Sequence, residues 1–222
     1  LNTSVTPLID IHRRTRQEDG AHRPLLVWDA GPGWRMASSA VVGGGLGTRA
    51  WFLNAQVRPG YGRMDPEAHL LELAAGQGFD GLGVGLMTAA EVEDFVHTAD
   101  EGVEAVVTAG LGVTGWAAAD EPATPGPPRP GTVNILAAIP AALGDAALIN
   151  CIATATEAKV QALLAAGLDC SGTPSDAICV AGREPLPGHQ IELFGGPRSL
   201  WGARLARAVY SAVNEAALKQ SR

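Results

Sequence analysis

Polar side chains that interrupt apolar runs give this chain its means of doing chemistry. Ser38 and Ser39 close an apolar stretch and precede Gly43, Gly44 and Gly45. Adjacent glycines let backbone approach a ligand and present successive N–H groups to an anion or a developing oxyanion. A hairpin turn is the plainer reading. Asn54 lies mid-run in WFLNAQV. There it must be hydrogen-bonded inside or face a polar pocket, unless it marks a bulge. Thr132 and Asn134 follow Pro130-Gly131 and share one face of a strand, which suits amide recognition. Turn chemistry plus one satisfied core Asn is the alternative. Two further segments, Thr154-Ala-Thr-Glu157-Ala-Lys159 and Ser171-Gly-Thr173-Pro-Ser175-Asp176, concentrate carboxylates, an ammonium and hydroxyls. Thr154-x-x-Glu157 and Thr88-x-x-Glu91 also fit helix capping boxes. Glu157 and Lys159, at i and i+2, do not face each other along one helix.

The elements that must position these residues read as follows. Short Val-, Ile- and Leu-rich runs predict strands over 25–28, 37–42, 50–57, 82–86, 103–108, 133–139, 146–152 and 177–181. Helices are expected over 66–75, 89–97, 155–166 and 200–219. In the last, Leu200, Ala203, Ala206, Val209, Tyr210 and Val213 recur at helical spacing. The class is therefore α/β or α+β, a single compact domain with one mixed sheet and helices packed on it. Residues 1–24 read as a partly flexible N-terminal extension and 25–222 as the domain. The Pro-rich stretch Asp120–Gly131 reads as a linker or surface excursion, or as a loop beside a binding cleft. Residues 82–110 and 147–182 both read strand, helix, strand, so two related halves are an open alternative.

The chain has 222 residues, with 46% hydrophobic, 18% charged and 5% aromatic residues, and a formal net charge of −7. That charge argues against a nucleic-acid partner and against docking on an anionic membrane. Three cysteines, none in C-x-x-C, are too few for a disulfide framework and give no structural zinc motif. No apolar run is long enough to span a bilayer, and the charged first 24 residues do not read as a signal peptide. A reducing cytoplasm is the simplest compartment. The five histidines are scattered, and no G-x-S-x-G, H-E-x-x-H, P-loop or EF-hand sequence occurs.

Taken together, MASSAVVGGG (36–45), the run from Asn54 to Pro66, VGLMTAA (84–90), VEAVVTAGLG (103–112), PGTVNILAAI (130–139), INCIATATEAKVQALL (149–164), SGTPSDAICVA (171–181) and FGGPRSLWGARLARAVYSAV (194–213) resemble the adenosylcobinamide amidohydrolase (CbiZ) family. The segments fall in the family's order from about Leu25 to Leu218. The resemblance implies hydrolysis of the amide joining aminopropanol to the corrinoid, giving adenosylcobyric acid in corrinoid salvage. It implies an adenosylated corrinoid as partner, with no cofactor required, and it leaves a homodimer open; without a metal-ligand motif in the sequence, a metal-free site is expected. Two other readings stay open, a corrinoid-binding protein without hydrolysis and a hydrolase of another small amide.

The site expected from this resemblance uses Glu157 as general base, with Asp176 orienting it or serving as base. Lys159 donates a proton or stabilises charge, and Thr173 or Ser39 is the hydroxyl nucleophile. Asn54, Thr132, Asn134, Ser38, Thr108 and Ser175 meet the substrate, and the Gly43, Gly44 and Gly45 backbone supplies oxyanion donors. Trp28, Trp34, Trp51, Trp116 and Trp201 are expected as walls for the macrocycle. The chain departs from the family pattern at Val113-Thr114, where Asn is expected after TAGLG, and at Pro174-Ser175.

Overall fold

In a computed structural model, residues 7–120, 131–188 and 190–220 are described. The elements run β1 (His12–Glu18), β2 (Ala21–Asp29), β3 (Trp34–Ser38), β4 (Gly45–Thr48), β5 (Trp51–Gln56), α1 (Pro66–Gly76), β6 (Gly83–Thr88), β7 (Val96–Asp100), β8 (Val103–Leu111), β9 (Gly131–Ala142), α2 (Asp145–Ala165), β10 (Ala177–Arg183) and α3 (Leu200–Gln220). The strands form two sheets, not the one expected. A four-stranded sheet has the order β1-β2-β5-β6 and a six-stranded sheet the order β4-β3-β10-β9-β8-β7. Both are mixed: β5 with β6 and β9 with β10 pair in parallel, the other neighbours antiparallel.

Alternation along the strands explains the layering. Leu136 and Ala138 of β9, with Val106, Met36, Cys179 and Ala181, pack against Leu26, Trp28, Phe52, Val84 and Leu86 of the four-stranded sheet. The intervening Val133, Ile135, Ala137 and Ile139 turn to the other side and pack on α2 and α3. The outer face of the four-stranded sheet, through Leu25, Val27, Leu53 and Ala55, takes Leu70 and Ala74 of α1. The order of layers is thus α1, four-stranded sheet, six-stranded sheet, α2 with α3. Central strands buried on both faces read as near-continuous apolar runs, so only the run lengths, not the faces, are plain beforehand.

Several expectations change. Residues 146–152 are not a strand but the first half of α2, which buries Ala147, Leu148, Cys151, Thr154, Ala155, Ala158, Lys159, Ala162 and Leu163 at helical spacing. A short apolar run does not by itself separate strand from helix. Thr154 is therefore not a cap. It lies mid-helix and donates to the Gly195 carbonyl at 2.9 Å. Residues 89–97 are not a helix but a 3-10 turn at Val92–Asp94 followed by β7. Gln56 captures the Val92 N–H at 3.1 Å, and Thr88 accepts from the Ala90 N–H at 3.0 Å, so tertiary and local bonds replace helical ones. The two segments read as a repeat differ accordingly: 82–110 holds strands of both sheets, while 147–182 holds α2 and then β10. Within the stretch read as an extension, Ile9 is buried and β1 pairs along its length with β2. Apart from its two ends, the Pro-rich stretch lies outside the described residues. No helix among the described residues is long and apolar enough to cross a membrane.

Candidate active site

The polar residues converge at the end of the six-stranded sheet where β9 and β10 begin. Ala177 of β10 is in register with Asn134 of β9, and Thr108 of β8 lies opposite Asn134 on its other side. Parallel β9 and β10 thus bring the segments around 132 and 175 together.

Asp176 is the hub. Its carboxylate accepts from the Lys159 ammonium, the Thr173 hydroxyl, the Thr173 N–H at 3.2 Å and the Val133 N–H at 2.8 Å. It therefore ties α2, the loop before β10 and the start of β9 to one another. Lys159 and Asp176 side chains are 7% and 12% exposed, so the ammonium and carboxylate meet with little water between them. Gly172 makes this approach feasible: a Cβ there would stand 2.2 Å from Asp176 Oδ2 and 2.5 Å from Lys159 Nζ. Gly172 is not among the site residues expected from the sequence. The signal was available as a glycine directly before the Thr173 hydroxyl.

Beside the hub, Thr132 and Ser175 hydroxyls lie 2.7 Å apart, and the Ser175 hydroxyl donates to the Gly131 carbonyl at 2.9 Å. On the side facing the four-stranded sheet, Asn134 donates to Asn54 Oδ1 at 2.9 Å and to the Met87 carbonyl at 3.1 Å. Asn54 donates onward to the Thr108 hydroxyl at 2.9 Å. This network bridges the two sheets, and all three side chains are buried. Asn134 Oδ1 has no hydrogen-bond partner among the described residues.

The remaining expected residues separate into near and far. Ser39 lies at the same end, exposed, and its Oγ accepts from the Ile178 N–H at 3.0 Å. Ser38 accepts from the Ala40 N–H and lies opposite Cys179 across the β3–β10 ladder. Burial pushes the Cys179 thiol up to about 12, against the lowering effect of its bond with Ser38. Gly43 and Gly45 adopt φ of +71° and +80°, and a Cβ at Gly43 would stand 2.0 Å from the Gly83 carbonyl oxygen. The glycine run thus crosses closely from the β3 end to β6. Glu157 is not brought to this cluster. It is exposed on α2, while Lys159, two positions along, is buried and turned to Asp176. Two residues subtend about 200° round a helix, which sets the pair on opposite sides.

The loop after β8 closes over the hub. Gly115 donates to the Gly172 carbonyl at 3.0 Å, Ser171 N–H donates back to Gly115 O at 3.0 Å, and the Ala117 N–H donates to Ser171 Oγ at 2.7 Å. The two departures from the family pattern meet here: a Cβ on Gly131 would lie 2.7 Å from the Val113 carbonyl oxygen and 3.5 Å from Pro174 Cδ. Of the tryptophans, Trp28, Trp34 and Trp51 are buried in the core, and Trp201 carries Arg204 over its ring.

Chemically, this end offers a hydroxyl already donating to a carboxylate, with an ammonium fixing that carboxylate. That is the arrangement of nucleophile, base and orienting group. A family model described as adenosylcobinamide amidohydrolase matches residues 8–222. An adenosylcobinamide amidohydrolase of Methanosarcina mazei is 29% identical over 184 residues, covering 80% of this chain and 87% of that protein. A protein of the same name from Halobacterium salinarum is 46% identical over 85 residues, 38% of this chain and 35% of the other.

Proposed function

The chain belongs to the adenosylcobinamide amidohydrolase family, and on that footing we propose that it cleaves the amide joining aminopropanol to the corrinoid of adenosylcobinamide, giving adenosylcobyric acid in corrinoid salvage. The observation that carries this reading is the family match over nearly the whole chain, from residue 8 to residue 222.

Thr173 is the nucleophile, Asp176 its base and Lys159 the group that holds Asp176. The Thr173 hydroxyl donates to Asp176 at the outset, so its proton has an acceptor as Oγ1 attacks the amide carbon. An ester forms between Oγ1 and the acyl carbon, the C–N bond breaks, and the proton passes from Asp176 to the departing amine. Water then hydrolyses the ester, releasing the carboxylic acid and restoring the Thr173 hydroxyl. Backbone N–H groups of Gly43, Gly44 and Gly45 stabilise the oxyanion. Thr132, Ser175, Ser38, Asn54, Thr108 and Asn134 orient the substrate's amides, directly or through their shared network, with Asn134 Oδ1 left to accept from a bound donor. Ser39 closes the β3–β10 corner, and Glu157, on the far side of α2, takes no part.

No cofactor or metal is needed in this scheme, and the compartment proposed is the cytoplasm. A homodimer is proposed from the apolar strip on which Leu193 is 67% and Phe194 73% exposed beside α2. Sedimentation at micromolar concentration checks it, and a monomer there overturns it.

The deciding assay incubates the protein with adenosylcobinamide, with and without a chelator, and follows aminopropanol and adenosylcobyric acid. Release of both in either condition supports the reading. Binding without release supports a corrinoid-binding role, activity confined to simple amides supports another amidase, and chelator sensitivity overturns the metal-free scheme.

A further inference from the structure

We infer that Trp116 is the residue that holds the face of the corrin macrocycle, so that it governs affinity for the large substrate without acting in bond cleavage. This rests on the proposed reaction and names a recognition residue for it. Trp116 is 45% exposed, whereas Trp28, Trp34 and Trp51 are each 2% exposed. Trp201 is occupied by Arg204, whose guanidinium lies 4.8 Å from the ring centroid.

The surroundings of Trp116 make an exposed ring useful. It sits on a loop, yet the loop is stapled on both sides of it. Gly115 forms an antiparallel bridge with Gly172, and the Ala117 N–H donates to Ser171 at 2.7 Å. In this bridge Trp116 stands opposite Ser171 and Thr114 opposite Thr173, so the tryptophan is fixed two positions along the ladder from the proposed nucleophile. Directly opposed residues of an antiparallel bridge point to one side and their neighbours to the other. A side chain on Gly172 would run into Asp176 and Lys159. Trp116, one residue along, is therefore turned away from the Asp176–Lys159 pair and outward, to the side that Ser171 and Thr173 share by alternation. A rigid aromatic plane set off from the hydroxyl by two ladder positions suits a broad, largely flat macrocycle whose amide arm reaches in to the reacting atoms.

The test compares wild type, W116F and W116A in steady-state hydrolysis of adenosylcobinamide, in calorimetric binding of adenosylcobyric acid, and in thermal melting. For W116A the expected result is a rise of about tenfold or more in KM and in the product Kd, with kcat within about twofold and an unchanged Tm. W116F retains most of the affinity. Unchanged KM and Kd in W116A overturn the inference, as does a fall in kcat alone. If the wild type binds adenosylcobyric acid but cleaves nothing, the proposed reaction fails. The Kd comparison then still decides the role of Trp116: weaker binding by W116A upholds it, and equal binding overturns it. A wild type that binds no corrinoid overturns both.

Discussion

Replacing Thr173 by Val removes a hydroxyl whose proton is already directed at Asp176 while keeping its size and branching. The expected result is a fall in kcat of at least about 10²-fold, with Thr173→Ser retaining measurable turnover. Equal loss in both variants would point to a structural role for the side chain instead. Glu157→Gln is the complementary test. Glu157 is exposed and faces away from Asp176, so its variant is expected to turn over at the wild-type rate. A fall of 10²-fold or more would move the base back to Glu157. The cysteines report the tightness of the core. Burial raises the Cys151 and Cys179 thiols from 9.0 to about 12. Both should resist iodoacetamide at pH 8 in the native protein and react on denaturation. Because the folded state holds these protons to higher pH, their contribution to stability is whole below about pH 9. It is lost as pH rises from there towards 12.

At the scale of elements, glycines decide where backbones meet. Gly202 lies in the first turn of α3, where Ala would ordinarily stabilise a helix by about 0.8–1 kcal/mol. A Cβ there would stand 2.0 Å from Gly196 O and 2.4 Å from Gly195 O. Gly202→Ala is therefore expected to cost about 1–3 kcal/mol net, read as a lower denaturant midpoint at unchanged m. The same contact sets the rotation of α3. Of the expected apolar face, Val209 and Val213 are buried and Ala206 and Tyr210 pack at its margin, but Leu200 and Ala203 lie off the buried stripe, which is Gly202, Leu205, Ala208, Val209, Ala212, Val213, Ala216 and Ala217. Leu200, the strongest apolar signal at the start, is 57% exposed. Among so many alanines, hydrophobic spacing alone does not distinguish one face from its neighbour, and close glycine contact does.

At the scale of the molecule, two sheets are joined by a core of large apolar side chains and by a buried polar side-chain bridge, Thr108–Asn54–Asn134. Asn54→Leu would leave the Thr108 hydroxyl and one Asn134 N–H buried without their partners. A loss of about 1–3 kcal/mol is expected in chemical denaturation, together with weaker substrate affinity, since the bridge lies beneath the site. Loss of affinity without loss of stability would assign Asn54 to the ligand alone. The bridge also fixes the spacing of the sheets where the site opens, because hydrogen bonds between side chains have a defined length that apolar contacts lack.

What the sequence by itself determined is the inventory. Asn54 and Asn134 stand out because an amide inside an apolar strand must be satisfied, and both prove to be hydrogen-bonded. Ser171 to Asp176 stand out because hydroxyls, a glycine and a carboxylate crowd a few positions, and they do form the hub. Family membership was equally legible, since it rests on ordered segments along the whole chain. The tertiary structure alone decided the grouping. Lys159 belongs to Asp176 and Glu157 does not, because a helix sends residues two apart to opposite sides and only packing says which side is inside. Asn54 meets Asn134 across 80 positions, and the strands that carry them lie in different sheets. Strand pairing and sheet stacking are non-local, fixed by the fit of whole faces, so no local spacing announces them.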